Sequence, residues 1–192
     1  REVHACQAAH LHGLGAAQAA ILRHLQGRRG RGVGVEAQRP AAERHVRKVV
    51  APGAVGPSKR WPVSYFAELG RSLTAEGFSV WVLGSPAEAP LAKEIVEASG
   101  PHARDLTSTD LRNAILAMKV ADACVSNDSG LVHVAAAIGT PTVGIFGPTS
   151  PWHWAPLNPL AAIIEENGLE LEPGEPLIVR RLVKRDSGSR GF

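Results

Sequence analysis

Short apolar runs and amphipathic stretches alternate along most of this chain. Lys48 to Ala51, Phe78 to Leu83, Ala121 to Ser126 and Thr142 to Phe146 are compact apolar runs, the pattern of buried strands. Between them, apolar residues recur at helical spacing. Ser64 to Glu76 turns Phe66, Leu69 and Leu73 to one side, and Gly77 closes it. Ala87 to Ser99 offers Leu91, Ile95 and Ala98, and Gly100-Pro101 breaks it. A third helix, capped by Thr107 or Ser108 and running to Lys119, points Leu111, Ile115 and Met118 inward. A fourth opens at Asp128-Ser129-Gly130, carries Leu131, Val134, Ala135 and Ile138 on one face, and stops at Gly139 with Pro141 beyond. His102 to Leu106 predicts a short edge strand, and Ala161 to Ile164 one strand more. Residues 152–159 read as loop. Strands alternating with helices predict an α/β fold, a parallel sheet with flanking helices on both faces. Such sheets bind ligands at the C-terminal ends of their strands. The turns 52–61, 84–86 and 127–130 sit at such ends, and each is Gly-rich or polar.

Residues 1–46 break the pattern. They hold 5 of the 8 His and the tract Gly27-Arg28-Arg29-Gly30-Arg31-Gly32. Only Ala16 to Leu25 suggests a short helix, with Ile21, Leu22 and Leu25 on one side. Order is expected from Arg47, so 1–46 reads as an atypical basic segment, disordered or non-native. Residues 47–164 then form the domain and 165–192 a poorly packed tail. The charge follows this division. Residues 1–48 carry 9 Lys/Arg against 3 Asp/Glu, and residues 49–192 carry 12 against 15, so a net +6 faces a net −3. The basicity is therefore no argument that the folded part binds nucleic acid. The Arg/Gly tract is the one feature that suits a phosphate backbone. Cys6 and Cys124 lie far apart, which disfavours a disulfide framework and favours a reducing compartment. No N-terminal apolar core marks a secretory signal, and no run nears the ~20 apolar residues that span a bilayer. A soluble protein, still able to work at a membrane surface, is expected.

Candidate chemistry concentrates in the strand-end turns. Lys59 and Arg60 close a Gly/Pro loop directly after a strand, where a cation beside backbone donors can hold a phosphate. A solvated pair beside a helix start explains them equally well. The loop lacks the spacing of a P-loop and of the dinucleotide fingerprint. The helix start at Asp128-Ser129-Gly130 presents amide N–H groups and the positive end of a dipole to an anion. Asp128 serves either as the helix cap or as an acceptor for sugar hydroxyls; if Ser129 caps instead, Asp128 is freed for ligand. His133 lies on the first helical turn, opposite the apolar stripe. No His/Cys/Asp/Glu cluster has metal-ligand spacing, and no nucleophile elbow is present.

Taken together, the segments PGAVGPSKRWP at 52–62, VWVLGSPAE at 80–88 and SNDSGLVHVAAAIGTPTVGIFGPTSP at 126–151 resemble the ADP-heptose:lipopolysaccharide heptosyltransferases of glycosyltransferase family 9. The resemblance covers about residues 47–160 and is closest to the type that adds the second heptose. It implies a Rossmann-like domain, the C-terminal donor-binding half of a GT-B fold. It implies that Lys59 contacts the donor phosphates and that Ser129, Gly130 and Leu131 present amides to the pyrophosphate. Asp128 and His133 would line the sugar, and Gly84, Ser85 and Glu88 the nucleotide. It implies ADP-heptose as donor substrate with no cofactor or metal, a lipid-linked saccharide acceptor, and a cytoplasmic location, peripheral at the inner membrane. The family's N-terminal domain, which carries the proposed general base, has no counterpart in residues 1–46. The chain is thus expected to be a fragment or a defective copy of a longer enzyme. Two alternatives stay open: a nucleotide-sugar epimerase or hydrolase on the same fold, and a non-catalytic binding domain with a basic arm.

Overall fold

A computed structural model of the chain describes residues 16–26, 46–158 and 161–165. The apolar runs are strands: β1 (Arg47–Ala51), β2 (Ser79–Val82), β3 (Ala103–Asp105), β4 (Ala123–Asn127), β5 (Thr142–Phe146) and β6 (Ala161–Glu165). They form one sheet in the order β3-β2-β1-β4-β5-β6, and every pairing is parallel. Parallel neighbours require crossover connections, which helices provide. The helices are α1 (Ala16–Gln26), α2 (Val63–Ala75), α3 (Ala89–Ser99), α4 (Leu111–Val120), α5 (Gly130–Ala137) and α6 (Pro151–Trp154). The expected α/β architecture, a Rossmann-like parallel sheet with flanking helices, is the one observed.

Successive strand residues point to opposite faces, so Val49 and Val50, or Cys124 and Val125, serve different layers. On one face Val50, Val80, Val82, Val125 and Val143 meet Phe66, Leu69 and Leu73 of α2, Ile95 of α3, and Ile21, Leu22 and Leu25 of α1. On the other, Val49, Leu83 and Cys124 meet Ala114 and Met118 of α4 and Ala135 of α5. Lys48 is fully buried on the first face, its Nζ 4.9 Å from the centroid of the Phe78 ring, a geometry that suits a desolvated cation.

Several expectations need correction. The boundary at residue 46 excludes a helix that the core includes: Ile21, Leu22 and Leu25 of α1 have no exposed surface. The remainder of the basic segment, with its Arg/Gly tract, and the tail beyond residue 165 lie outside the described residues. In α3 the buried residues are Ala92, Ile95 and Ser99, while Leu91 and Ala98 are half-buried. Small residues set this face. A Cβ on Gly70 of α2 would overlap Ser99 Oγ and lie 3.5 Å from Ile95 Cγ2, so the two helices approach through Gly70. The cap of α4 is Asp110, whose Oδ1 accepts the Asn113 N–H at 2.8 Å, and not Thr107 or Ser108. Thr107 instead bonds to Asp105 Oδ1, and Ser108 turns the chain at φ 66. Leu111, the first residue of α4, is then 62% exposed. In α5, Val132, Ala135 and Ala136 are the buried residues. Leu131, Val134 and Ile138 are half-buried against α4, because α5 is covered from two sides. The segment after Pro151 starts with the short helix α6 instead of a loop. Gly77 and Gly139 do stop α2 and α5, at φ 84 and 82.

Candidate functional site

The chain leaves β1 toward β2 and β3, and leaves β4 toward β5 and β6. The connections therefore diverge between β1 and β4, and a crevice opens at the C-terminal ends of those two strands. Their register pairs Val50 with Val125 and Ala51 with Ser126. The 52–62 loop, which continues from Ala51, is thus delivered beside the Asn127-Asp128-Ser129 turn, which continues from Ser126.

Lys59 ends a single 3-10 turn, Pro57–Lys59, tightened by Lys59 N–H to Gly56 O and Arg60 N–H to Pro57 O, each 3.0 Å. Pro57 presets the first turn of this element. The Lys59 Nζ then lies 2.8 Å from Asp128 Oδ2. The Lys59 side chain is 36% exposed and that of Asp128 6%, so the carboxylate is enclosed and the ammonium still faces the crevice. Arg60 points back, its Nε donating to Ala54 O at 2.8 Å. The loop therefore presents one cation to the crevice and uses the other to hold itself.

Asp128 is not the cap of α5. Ser129 holds that position but makes no side-chain cap bond; its hydroxyl is 3.2 Å from Ser126 Oγ. The first turn of α5 is therefore open to an external acceptor, and Gly130 at its tip is exposed with nothing within 4 Å of where a Cβ would stand. Leu131 is half-buried, packed toward α4. His133 is exposed on the same first turn and makes no hydrogen bond or ion pair among the described residues.

A second group forms at the end of β2. Gly84 is half-buried and Ser85 exposed, and the Ser85 N–H donates to Glu88 Oε2 at 2.5 Å. The Glu88 carboxyl lies across the start of the 52–62 loop: a Cβ on Gly53 would overlap it, and one on Gly84 would stand 2.6 Å from Oε2. Both glycines thus make room for one carboxylate. The structure brings Lys59 to Asp128, Ser129 to Ser126, and Ser85 and Gly84 to Glu88. It makes no direct bond between the Lys59–Asp128 pair and the Glu88 group among the described residues.

Sequence reasoning passes over Asn127 and Gly53. Asn127 is fully buried at the end of an apolar strand. A polar side chain in such a place must be satisfied by hydrogen bonds, and that is the available signal. The partners of Cys124 are apolar, and burial pushes its thiol up to about 12. It is a core residue, not a nucleophile. Among the described residues no group of three or more His, Cys, Asp or Glu can hold a metal ion. A further cleft of about 270 Å³, lined by Arg47, Ser79, Trp81, Pro101, His102 and Arg104, lies toward the other end of the sheet, where β1 and β2 begin. It has no part in the crevice.

Comparison with known proteins decides what this geometry belongs to. The sequence profile of glycosyltransferase family 9 (heptosyltransferase) matches residues 18–173. The chain belongs to that family. It is 38% identical over 136 residues to the lipooligosaccharide heptosyltransferase 2 of Haemophilus influenzae, a match over 68% of this chain and 38% of the relative. It is 40% identical over 119 residues to the lipopolysaccharide heptosyltransferase 2 of Escherichia coli, over 59% of this chain and 34% of the relative. Among solved structures, the E. coli ADP-heptose heptosyltransferase II superposes with a TM-score of 0.59 at 36% identity, over 69% of this chain and 40% of that one. E. coli heptosyltransferase WaaC with ADP gives 0.61 at 25% identity, over 65% and 39%. The chain spans well under half the length of each of these proteins. The family match begins at residue 18, inside α1, in keeping with the packing of that helix. Among the described residues no helix is long and apolar enough to cross a membrane.

Proposed function

We propose that this chain is the donor-binding half of a heptosyltransferase. The complete enzyme transfers heptose from ADP-heptose to the inner core of lipopolysaccharide and releases ADP. It works in the cytoplasm, at the inner-membrane surface where a lipid-linked saccharide acceptor lies. The observation that carries this reading is the Lys59–Asp128 pair at the β1/β4 crevice, with an uncapped helix start beside it. One solved relative supports it in two structures: E. coli heptosyltransferase WaaC with ADP and the same protein with ADP-2-deoxy-2-fluoro heptose.

In this reading the Lys59 ammonium and the amides of Ser129, Gly130 and Leu131 hold the donor diphosphate. As the glycosidic bond breaks, negative charge builds on the departing diphosphate. A fixed cation and a helix dipole already aimed there stabilise it without reorganisation. Asp128, anchored by Lys59, keeps a second carboxylate oxygen to accept sugar hydroxyls, and His133 lines the same pocket. Glu88, with Gly84 and Ser85, accepts the hydroxyls of the nucleotide. The base that takes the acceptor proton belongs to the family's N-terminal domain. This chain alone then binds the donor product but transfers little or no sugar.

Thermal denaturation tests the reading. A ligand that binds only the folded state raises the melting temperature with its concentration. ADP is expected to do so for the 192-residue chain, and adenosine, which lacks the diphosphate, to do so far less. Equal shifts for both would place no weight on the diphosphate site; no shift with millimolar ADP would remove the proposal.

A further inference from the structure

The side chain of Asn127 holds both ends of the 52–62 loop at once. Its Nδ2 donates to Pro52 O at 2.7 Å, and its Oδ1 accepts the Trp61 N–H at 3.1 Å. Pro52 comes directly after β1 and Trp61 lies just before α2, so one amide closes the segment between them. The network fixes the orientation of the amide, since a carbonyl needs a donor and an N–H needs an acceptor. The next residue, Asp128, receives the tip of the same loop through Lys59. The backbone here is tied as well, by Asp128 N–H to Ile145 O at 2.9 Å. Asn127 and Asp128 thus present a rigid strand end, and the loop is fastened to it at its base and at its cation.

We infer that Asn127 is a positioning residue of the donor site, setting where Lys59 stands relative to the diphosphate. The inference rests on the donor-binding reading above. No other common side chain replaces it. Among uncharged groups of this length only a primary amide offers a donor and an acceptor on separate atoms. Aspartate keeps the acceptor for Trp61 but turns a carboxylate oxygen on the Pro52 carbonyl. Leucine leaves both backbone groups buried and unmatched. Trp61 is itself buried, 3% exposed, with its ring edge-on to Phe66 at 4.9 Å. Releasing its N–H therefore frees the Lys59 end of the loop while the ring keeps α2 in place.

Two measurements on the full chain test this. Calorimetry with ADP compares wild type, Asn127→Asp, Lys59→Ala and the double variant. Asn127→Asp is expected to weaken ADP about tenfold when Lys59 is present and less than about threefold when Lys59 is already alanine, because an effect exerted through Lys59 disappears with it. Equal losses in both backgrounds overturn the inference. Amide hydrogen exchange supplies an arm that needs no ligand. The Trp61 N–H of Asn127→Asp should exchange about tenfold faster or more, while Val125 and Val143 in the sheet stay as in wild type. Unchanged Trp61 exchange overturns the inference too. If the wild-type chain binds no ADP, the donor reading falls and the exchange arm still decides whether the clamp exists. Should Asn127→Asp fail to fold, Asn127→Ser, whose hydroxyl serves one of the two partners, takes its place in both arms.

Discussion

Gly53→Ala separates a side-chain rearrangement from a backbone one, and links it to nucleotide binding. Gly53 is buried just after β1, and its φ is not in the left-handed region, so alanine suits the backbone. The obstacle is Glu88: the atoms that an added Cβ meets are Oε1, Cδ and, at 2.7 Å, Oε2 of that one carboxyl. The carboxyl is the free end of a half-buried side chain, so it swings outward and the loop stays. The structural loss is then the bond from the exposed Ser85 N–H, about 0.5–1.5 kcal/mol. Against it, replacing glycine restricts the unfolded chain and returns about 0.4–1 kcal/mol. Net stability in urea should change by no more than about 1 kcal/mol. Binding should change more. If Glu88 accepts nucleotide hydroxyls, moving a charged acceptor away costs about 1.5–3 kcal/mol, or roughly 10- to 150-fold in ADP affinity. Glu88→Ala should lose as much, and adding Gly53→Ala to it should lose nothing further. Calorimetry and urea titration of the three variants decide this. A stability loss above about 3 kcal/mol would mean that the loop itself had moved, pulling Pro52 from Asn127. Unchanged ADP affinity would take Glu88 out of the nucleotide site.

The same contacts set other outcomes. Leu22→Ala in α1 should cost about 2–5 kcal/mol in urea denaturation, since Leu22 is fully buried; a change within about 0.5 kcal/mol would mean that α1 lies outside the folded unit. The Cys124 thiol, pushed by burial from 9.0 up to about 12, keeps its proton in the folded state where the unfolded chain has lost it. Its contribution is complete below pH 9.0 and is lost as pH rises toward about 12. The difference in stability between wild type and Cys124→Ala should therefore fall over that window by up to about 1.4 kcal/mol per pH unit. A difference independent of pH would contradict the buried thiol.

Much of this fold is legible in the sequence because burial writes itself as period. Phe66, Leu69 and Leu73 are read correctly since large apolar side chains at helical spacing carry that part of α2 into the core. The period misleads where small residues carry the contact: Gly70 lets Ser99 and Ile95 approach closely, and Ala92 is buried while the larger Leu91 is half-buried. It misleads again in α5, which is covered from two sides. The strand order has no local signature, because it depends on crossovers between elements. The candidate site shows the same division. Lys59, Asp128 and Glu88 are visible as residue types in strand-end turns. Their partners are not. Lys59 meets Asp128 across 69 positions, Asn127 meets Pro52 across 75, and Glu88 meets a glycine that spacing does not mark. Only the sheet register brings these together. In α1 the short apolar stripe of Ile21, Leu22 and Leu25 is visible, but the surrounding composition outweighs it.

If the β1/β4 crevice holds the diphosphate of a nucleotide sugar through Lys59, as proposed, then removing that one ammonium must weaken the nucleotide. Titration calorimetry of the whole chain with ADP at low salt, wild type against Lys59→Ala, reads this without any acceptor. Lys59 is partly exposed, which moderates its contribution, yet its removal also leaves the enclosed Asp128 carboxylate facing the diphosphate. Saturable binding to wild type and a loss of about tenfold or more in the variant are predicted. Equal affinity in the two proteins would contradict a diphosphate site built on Lys59.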